Sequence, residues 1–147
     1  MATSRLKLVA QDSEDLAVLS ACLQDAVARV GAMTFVPEER RFAAVLDRFL
    51  WETAGAEAAQ RPHRMVRCGL RIERVRAVKT RGIDRDDPTG VLELLAIVED
   101  KVDGSAALRL LFAGGAEVRL EVERLLLGLE DIGEPVATPL APHHELG

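Results

Sequence analysis

The chain has 147 residues, of which 48% are hydrophobic, and its formal net charge is −5 at pH 7. This length suits one globular domain that buries about 68–70% of its unfolded surface. The acidic total disfavours bulk attraction to nucleic acid or anionic lipid, and the longest apolar runs fall far short of the ~20 residues of a membrane-spanning helix. The first residues also lack the apolar centre of a secretory signal, so we expect a cytoplasmic protein without membrane contact.

A short strand and a helix are the first predicted elements. Residues 6–10 alternate as a strand does, and Asp12 is placed to accept hydrogen bonds from the first free amides of a helix, with Asp15 in capping-box spacing. The spacing of three and four residues that makes one buried stripe follows at Leu16, Leu19, Leu23 and Ala26. We predict that this helix loosens near Gly31.

The next segment changes to a period near two and predicts a hairpin. Met33 and Phe35 precede a turn over residues 37–40, and alternation returns from Phe42 to Leu46. The proline and the charged residues of the turn both oppose a central strand position. Beyond Asp47 the apolar side switches to Phe49 and Trp51, which predicts a bulge or the bend of a closed sheet.

Two further strands are predicted in the middle of the chain. Residues 66–72 alternate strictly, and a second phase slip follows Ile72 before the glycine- and aspartate-rich turn over residues 82–90. Residues 91–98 are apolar on nearly both faces, so we expect a central strand that is covered on each side.

The C-terminal part predicts a glycine turn, a hairpin and a tail. Gly114 and Gly115 suit a tight turn. The following strand has one buried face and one wet face, made by Val118, Leu120 and Val122 against Glu117, Arg119, Glu121 and Glu123. Residues 125–132 fit a strand or a short helix, and we favour the strand. Residues 1–133 form the predicted domain, and residues 134–147, with three prolines, form a predicted flexible tail.

Together these elements predict an α+β fold. It consists of a strongly bent antiparallel sheet of six or seven strands, as a partly closed barrel, and one N-terminal helix that covers an open end or face. The two phase slips are the argument for partial closure. Two meanders, over residues 33–78 and 91–125, also suggest two similar halves, although alternating patterns resemble each other by construction.

Several runs of the sequence resemble a known family over nearly the whole chain. They are residues 6–10, 20–27, 37–42, 49–52, 112–115 and 119–123. The family is an uncharacterised alphaproteobacterial family classed only as a domain of unknown function. The resemblance implies a small bacterial cytoplasmic protein and supplies no activity, cofactor or catalytic residue.

Charge segregation is the strongest local feature of the chain. Between residues 61 and 81 there are eight basic residues and one acid, Glu73, a surplus of seven positive charges in an acidic protein. Because guanidinium groups bind carboxylates or phosphates in pairs, the candidate binding residues are Arg64, Arg67, Arg71, Arg74 and Arg76. The expected counter-charges are Glu117, Glu121 and Glu123, or acids of a partner subunit.

No other group of residues predicts chemistry. His143 and His144 lie in the predicted tail, where a metal geometry would not be fixed, and His63 has only Cys68 and Thr53 as neighbouring nucleophiles. We therefore predict no cofactor, no metal site and no catalytic residue. The function we infer is a non-enzymatic interaction or accessory module that binds a protein partner or itself. The alternative is an anion or nucleic-acid binder, although aromatic residues for base stacking make up only 3% of the chain.

Overall fold

The structure is a computed structural model that describes residues 5–50, 63–102 and 105–138. Its only α-helix in these ranges, α1, spans Ser13–Cys22. No helix in the same ranges is both long and apolar enough to cross a membrane. The strands are β1 (Lys7–Ala10), β2 (Val27–Val36), β3 (Arg41–Phe49), β4 (His63–Ile72), β5 (Val75–Arg81), β6 (Val91–Val102), β7 (Ser105–Phe112), β8 (Glu117–Val122), β9 (Leu127–Asp131) and β10 (Val136–Thr138).

The described strands form one open antiparallel sheet. Their order is β1-β9-β4-β3-β2-β6-β7-β8-β5, and β10 also pairs with β4. The prediction of a mostly antiparallel fold with one N-terminal helix is confirmed. The prediction of six or seven strands is wrong, because there are ten, and so is the partly closed barrel, because β1 and β5 remain as two separate edges.

The first phase slip, after Asp47, is a buried ion pair and not a bulge. β3 pairs with β4 in continuous register from Phe42 to Phe49, so the expected bend is absent from this ladder. Arg48 occupies the next inward position after Leu46, and it is buried because it binds the carboxylate of Asp131 on β9. The sequence pattern predicts a bend here because a charged residue occupies an inward position that is normally apolar. Trp51 lies outside the described residues.

The second phase slip, after Ile72, is a crossover between distant parts of the sheet. Arg74 has a left-handed backbone, with φ of 61°, and separates β4 from β5. β4 pairs with β3, β9 and β10, whereas β5 pairs with β8 at the far edge. The slip therefore marks a change of neighbours, followed by the predicted bulge, a one-residue register shift between Val75 and Ala77 where β5 pairs with β8. It does not close the sheet.

The helix begins where the sequence predicts and ends earlier. Asp12 accepts a hydrogen bond from the Asp15 amide at 2.8 Å, which is the expected N-cap. Leu16, Leu19, Leu23 and Ala26 are all buried. The stripe nevertheless leaves the helix after Cys22, because Asp25 has φ of 66° and β2 begins at Val27.

The hairpin predictions hold along the rest of the chain. Residues 37–39 form a 3₁₀ turn between β2 and β3, and Gly114 and Gly115 have φ of 80° and 85° between β7 and β8. β8 buries its valine and leucine face, and β9 confirms the strand favoured for residues 125–132. β6 lies mid-sheet as expected, but Val91 and Leu95 are exposed, so its second face is not fully covered.

The division into a domain over residues 1–133 and a tail over residues 134–147 stays a prediction. Within the predicted tail, β10 pairs with the first residues of β4. Residues 139–147, which include His143 and His144, lie outside the described residues.

The sheet consists of two topologically equivalent halves. One half is β2 to β5 and the other is β6 to β9. The strands β2, β3, β4 and β5 correspond to β6, β7, β8 and β9. When every strand in the order from β9 to β5 is replaced by its counterpart, the result is the same order read from the opposite end. β2 and β6 meet antiparallel at the centre, while β5 and β9 each pair with the opposite half. The crossovers also share sequence, since residues 70–75 and 120–125 both contain Leu, a β-branched residue and Glu-Arg at matching positions.

Candidate functional site

The five candidate arginines do not form one surface. Arg67 and Arg71 lie on the outer face of β4, opposite to the face that buries Val66, Cys68 and Leu70, and Arg64 is exposed at the start of the strand. Arg74 lies in the crossover and Arg76 lies on β5. The structure therefore separates Arg64 and Arg67 from the rest.

Most of the candidate arginines contact acids of the same chain. Arg67 donates to Asp47 on β3, with Nε 3.0 Å from Oδ1. Arg71 Nη1 lies 3.8 Å from Glu73 Oε2, and Arg76 Nε lies 3.9 Å from Glu123 Oε1. These pairs are largely solvated, and solvated pairs contribute at most about 1 kcal/mol each. Arg74 makes no ion pair with another described residue.

The expected counter-charges are placed only partly as predicted. Glu123 lies near Arg76 and also binds Arg40. Glu117 instead binds Arg109 at 2.8 Å and Arg81 at 3.2 Å. The hydrogen bond from Arg109 holds the pKa of Glu117 below its ordinary value. Glu121 is exposed on β8.

The two crossovers lie side by side and enclose a cleft. The Glu73 amide donates to the Leu126 carbonyl at 2.9 Å, and the Glu123 amide donates to the Arg74 carbonyl at 3.0 Å. Beside them is a space of about 400 Å³, which we call the crossover cleft. Its lining consists of Val9, Glu39, Arg40, Arg71, Glu73, Arg74, Leu126, Leu127 and Gly128.

Three arginines line this cleft from three different segments of the chain. Arg40 ends the β2–β3 turn with φ of 53°, Arg71 comes from β4, and Arg74 from the crossover. Arg71 lies across β9 at Gly128, its register partner. A Cβ at Gly128 would come within 2.8 Å of Arg71 Nη2, so the glycine provides the room for this guanidinium.

A second concave region lies beside the edge strand β5. We call it the edge groove; it has a volume of about 360 Å³. Its apolar lining comes from β2, β3, β5, β8 and the loop that follows β5, and includes Met33, Phe42, Val78, Ile83 and Val118. Within the described ranges β5 pairs only with β8, and β2 pairs with β6 only over residues 27–29. The groove therefore lies beside two strand edges that are at least partly unpaired.

The equivalent region of the other half is covered by the N-terminal segment. β1 pairs with the outer edge of β9. α1 lies along β6, where the Ile97 amide donates to Ser20 Oγ at 2.9 Å and Ser13 Oγ donates to Glu99 at 2.7 Å. One half of the molecule thus carries an added strand and helix. In the other half the loop after β5 bonds to Val30 and Gly31 of β2, and β8 is the only described strand that pairs with β5, apart from a bond from the Val75 amide to the Arg40 carbonyl.

Among the remaining groups, Cys68 and the aspartates of the loop after β5 are described, whereas Thr53 and the His63 side chain lie outside the described part of the structure. Burial raises the pKa of the Cys68 thiol to about 12, so it is not a thiolate at neutral pH. Asp84 and Asp87 accept hydrogen bonds from their own loop. No three His, Cys, Asp or Glu side chains of the described ranges come together as a metal site.

Arg40 and Gly128 are the members of the crossover cleft that the sequence analysis missed. The sequence predicts only a turn at Arg40, and Gly128 lies inside a run whose periodicity fits a strand or a helix. The repeated Glu-Arg at positions 73–74 and 123–124 was the available signal, because it marks the two crossovers that bring these residues together.

Comparison with known families shows which family the chain belongs to. Neither the curated proteins nor the solved structures contain a match to it. The family described as "Protein of unknown function (DUF2948)" matches residues 6–144, nearly the full length. This confirms the resemblance to a domain of unknown function, while alphaproteobacterial origin stays a prediction. The chain is therefore a member of the DUF2948 family.

Proposed function

We propose that this chain is a non-enzymatic interaction module of the bacterial cytoplasm, and that it binds an acidic extended segment of a partner protein along β5. The observation that carries the proposal is the edge of β5 beyond Val75, which pairs with no described strand and lies beside the edge groove; β1 covers the equivalent edge of β9 in the other half. An extended segment added to a free strand edge gains main-chain hydrogen bonds, and pockets for alternate side chains give specificity.

Charge complementarity supports an acidic partner. In the covered half, Lys7 of β1 lies opposite Glu130 of β9. The equivalent strand β5 carries three basic residues and no acid: Arg76 and Arg81 contact Glu123 and Glu117 of the same chain, and Lys79 makes no ion pair with another described residue. Opposite charges across neighbouring strands contribute roughly 0.2–1 kcal/mol per pair. A strand that binds β5 should therefore carry glutamate or aspartate on its outward face.

The same charges oppose pairing between two copies of β5. An antiparallel β5–β5 contact would bring six basic side chains together, and like charges opposite each other destabilise a sheet. Self-association through this edge is thus disfavoured relative to a different, acidic protein.

Nucleic acid is the weaker alternative. Arg64 and Arg67 lie apart from the crossovers, where Arg71, Arg74 and Arg76 are found, and Arg67 already contacts Asp47. A binder of the phosphate backbone would need a continuous basic track, together with aromatic groups if it bound single strands. Absence of RNA and DNA binding at low salt would agree with this ranking.

The test uses Lys79→Glu with Lys101→Glu as its matched control. Both lysines are exposed and both changes alter the charge by two units, but Lys101 lies on β6. The probe is a peptide of about ten residues in which valine alternates with glutamate, and binding is followed by fluorescence anisotropy and amide NMR shifts. We expect shifts along β5, about tenfold weaker binding for Lys79→Glu, and no change for Lys101→Glu.

Purification from the native cytoplasm is the complementary test. Wild-type protein should be recovered in a complex larger than the monomer, and Lys79→Glu should lose that complex. Recovery of a lone monomer, together with no binding of the acidic peptide, would rule the proposal out.

A further inference from the structure

We propose a second and separate site: the crossover cleft binds a small organic dianion, either a phosphate monoester or a dicarboxylate. The site shares with the β5 edge only Arg76, which contacts Glu123, and the variants that test the two proposals lie at other residues. Its volume of about 400 Å³ is within the range of about 300–1,000 Å³ that small-molecule sites occupy.

The charge of the cleft and its ion-pair partners favours a dianion. Five arginines and three glutamates either line the cleft or are connected to its lining through ion pairs. They are Arg40, Arg41, Arg71, Arg74 and Arg76, and Glu39, Glu73 and Glu123. Five minus three leaves two positive charges. A ligand with two negative charges would neutralise this surplus without burying an unpaired charge.

The acids in the cleft are already committed to other cations. Glu73 accepts two hydrogen bonds from Arg41 Nε, both at 3.0 Å, and Glu39 lies 3.4 Å from Arg41 Nη1. Arg41 itself is not part of the lining. Glu73 therefore fixes Arg71 only loosely, at 3.8 Å, and Arg71 keeps donors for a ligand.

Arg74 is the most available donor, and its backbone carries a cost. Its side chain makes no ion pair with another described residue, and its φ of 61° is a left-handed conformation that is unfavourable for a non-glycine residue. Glycine would fit this position without that cost. Strained positions of this kind concentrate at ligand sites, where the side chain is needed.

An apolar surface beside the arginines indicates an organic ligand. Val9, Leu126 and Leu127 line the same space, and Val9 is 53% exposed. Apolar walls with a few convergent charged groups are typical of small-molecule sites. A carbon body attached to the anion would cover this surface, which inorganic phosphate cannot do.

The experiment is titration of the full chain at low salt with phenyl phosphate, glutarate and inorganic phosphate. Calorimetry gives the affinity, and amide NMR locates the site. We expect saturable binding of phenyl phosphate or glutarate, with shifts at residues 71–75 and 126–128, and weaker binding of inorganic phosphate. The tighter of the two organic probes assigns the anion as phosphate monoester or dicarboxylate.

Three variants decide whether the arginines are responsible. Arg71→Gln and Arg74→Gly should each weaken binding at least tenfold, whereas Arg64→Gln, an exposed arginine of β4 outside the cleft, should not. Arg74→Gly should also raise the thermal unfolding midpoint, because it relieves the left-handed backbone, so lost binding will not reflect unfolding. The proposal is wrong if neither organic probe binds saturably, if inorganic phosphate binds as tightly as they do, or if these variants leave the affinity unchanged.

Discussion

Arg48 and Asp131 are the only oppositely charged pair in the described chain with both side chains almost fully buried, at 5% exposure each. Arg48 Nε and Nη2 donate to the two carboxylate oxygens at 3.0 Å, and the Leu6 amide donates to the same carboxylate at 2.9 Å. The pair spans β4 from β3 to β9. Because removal from water costs both charges several kcal/mol, the geometry and the third donor are what make the arrangement tolerable.

Removing one partner of this pair should be far more damaging than removing both. Arg48→Met leaves a buried carboxylate without its cation, and we expect a loss of about 3–5 kcal/mol in the free energy of unfolding, measured by urea denaturation. Arg48→Met combined with Asp131→Leu should recover most of that loss. Arg67→Met, which breaks the solvated contact with Asp47, is the control and should cost at most about 1 kcal/mol. Equal losses for Arg48→Met and Arg67→Met would contradict the account.

Acid stability should depend on Asp131. Burial alone would raise the pKa of this carboxyl, but hydrogen bonds from Arg48 and the Leu6 amide outweigh burial and lower the pKa below the ordinary value of 3.8. A lowered folded-state pKa stabilises the protein above pH 3.8, and that contribution is lost as the pH falls through the folded-state pKa. We expect the unfolding free energy of the wild type to fall more steeply below pH 4 than that of Asp131→Asn. Parallel curves for the two proteins would show that another group dominates.

At the scale of elements, α1 depends on its cap because it is short and solvated on much of its surface. It has ten residues, fewer than an isolated helix needs in water, so tertiary contacts with β1 and β6 and the Asp12 cap must hold it. Its buried side chains are few, Leu16 and Leu19 within the helix itself.

Loss of the helix cap should therefore be measurable. Asp12→Ala removes the acceptor of the Asp15 amide, and we expect a decrease of about 1 kcal/mol in the free energy of unfolding by urea denaturation. Asp12→Asn is the matched control, since asparagine caps helices about as well, and it should stay close to the wild type. A similar loss for both variants would point to the charge of Asp12 and not to its hydrogen bond.

The sequence predicts local elements better than it predicts which elements lie beside each other in the fold. Residues 12–23, 37–40 and 114–115 carry capping or turn chemistry that acts within a few residues, and their predictions hold. The closure of the sheet predicted from the phase slips after Asp47 and Ile72 is wrong because each slip depends on a contact far along the chain, the first between Arg48 and Asp131 and the second between the two crossovers. A period-two pattern records which face is buried but does not record which strand lies alongside.

At the scale of the whole molecule, the sequence predicts the charge imbalance of the candidate site but not the position of that site in the fold. The sequence showed the surplus between residues 61 and 81, but β4 and β5 carry that surplus to distant parts of the sheet. The crossover cleft joins Arg40, Arg71 and Gly128 from three separate stretches of the chain. Only the topology, which places β5 beside β8 and β9 beside β4, brings those stretches together.

The exchange of β5 and β9 makes each half incomplete by itself, which is the arrangement of a domain-swapped dimer fused into one polypeptide. A chain cut between Arg85 and Asp86, in the exposed loop after β5, should yield two fragments that are unfolded alone and reassemble when mixed. Circular dichroism of each fragment and of the mixture would measure this complementation. An independently folded fragment would show that the exchanged strands β5 and β9 are dispensable for folding. It would also show that a dimer is not needed as the ancestor of this fold.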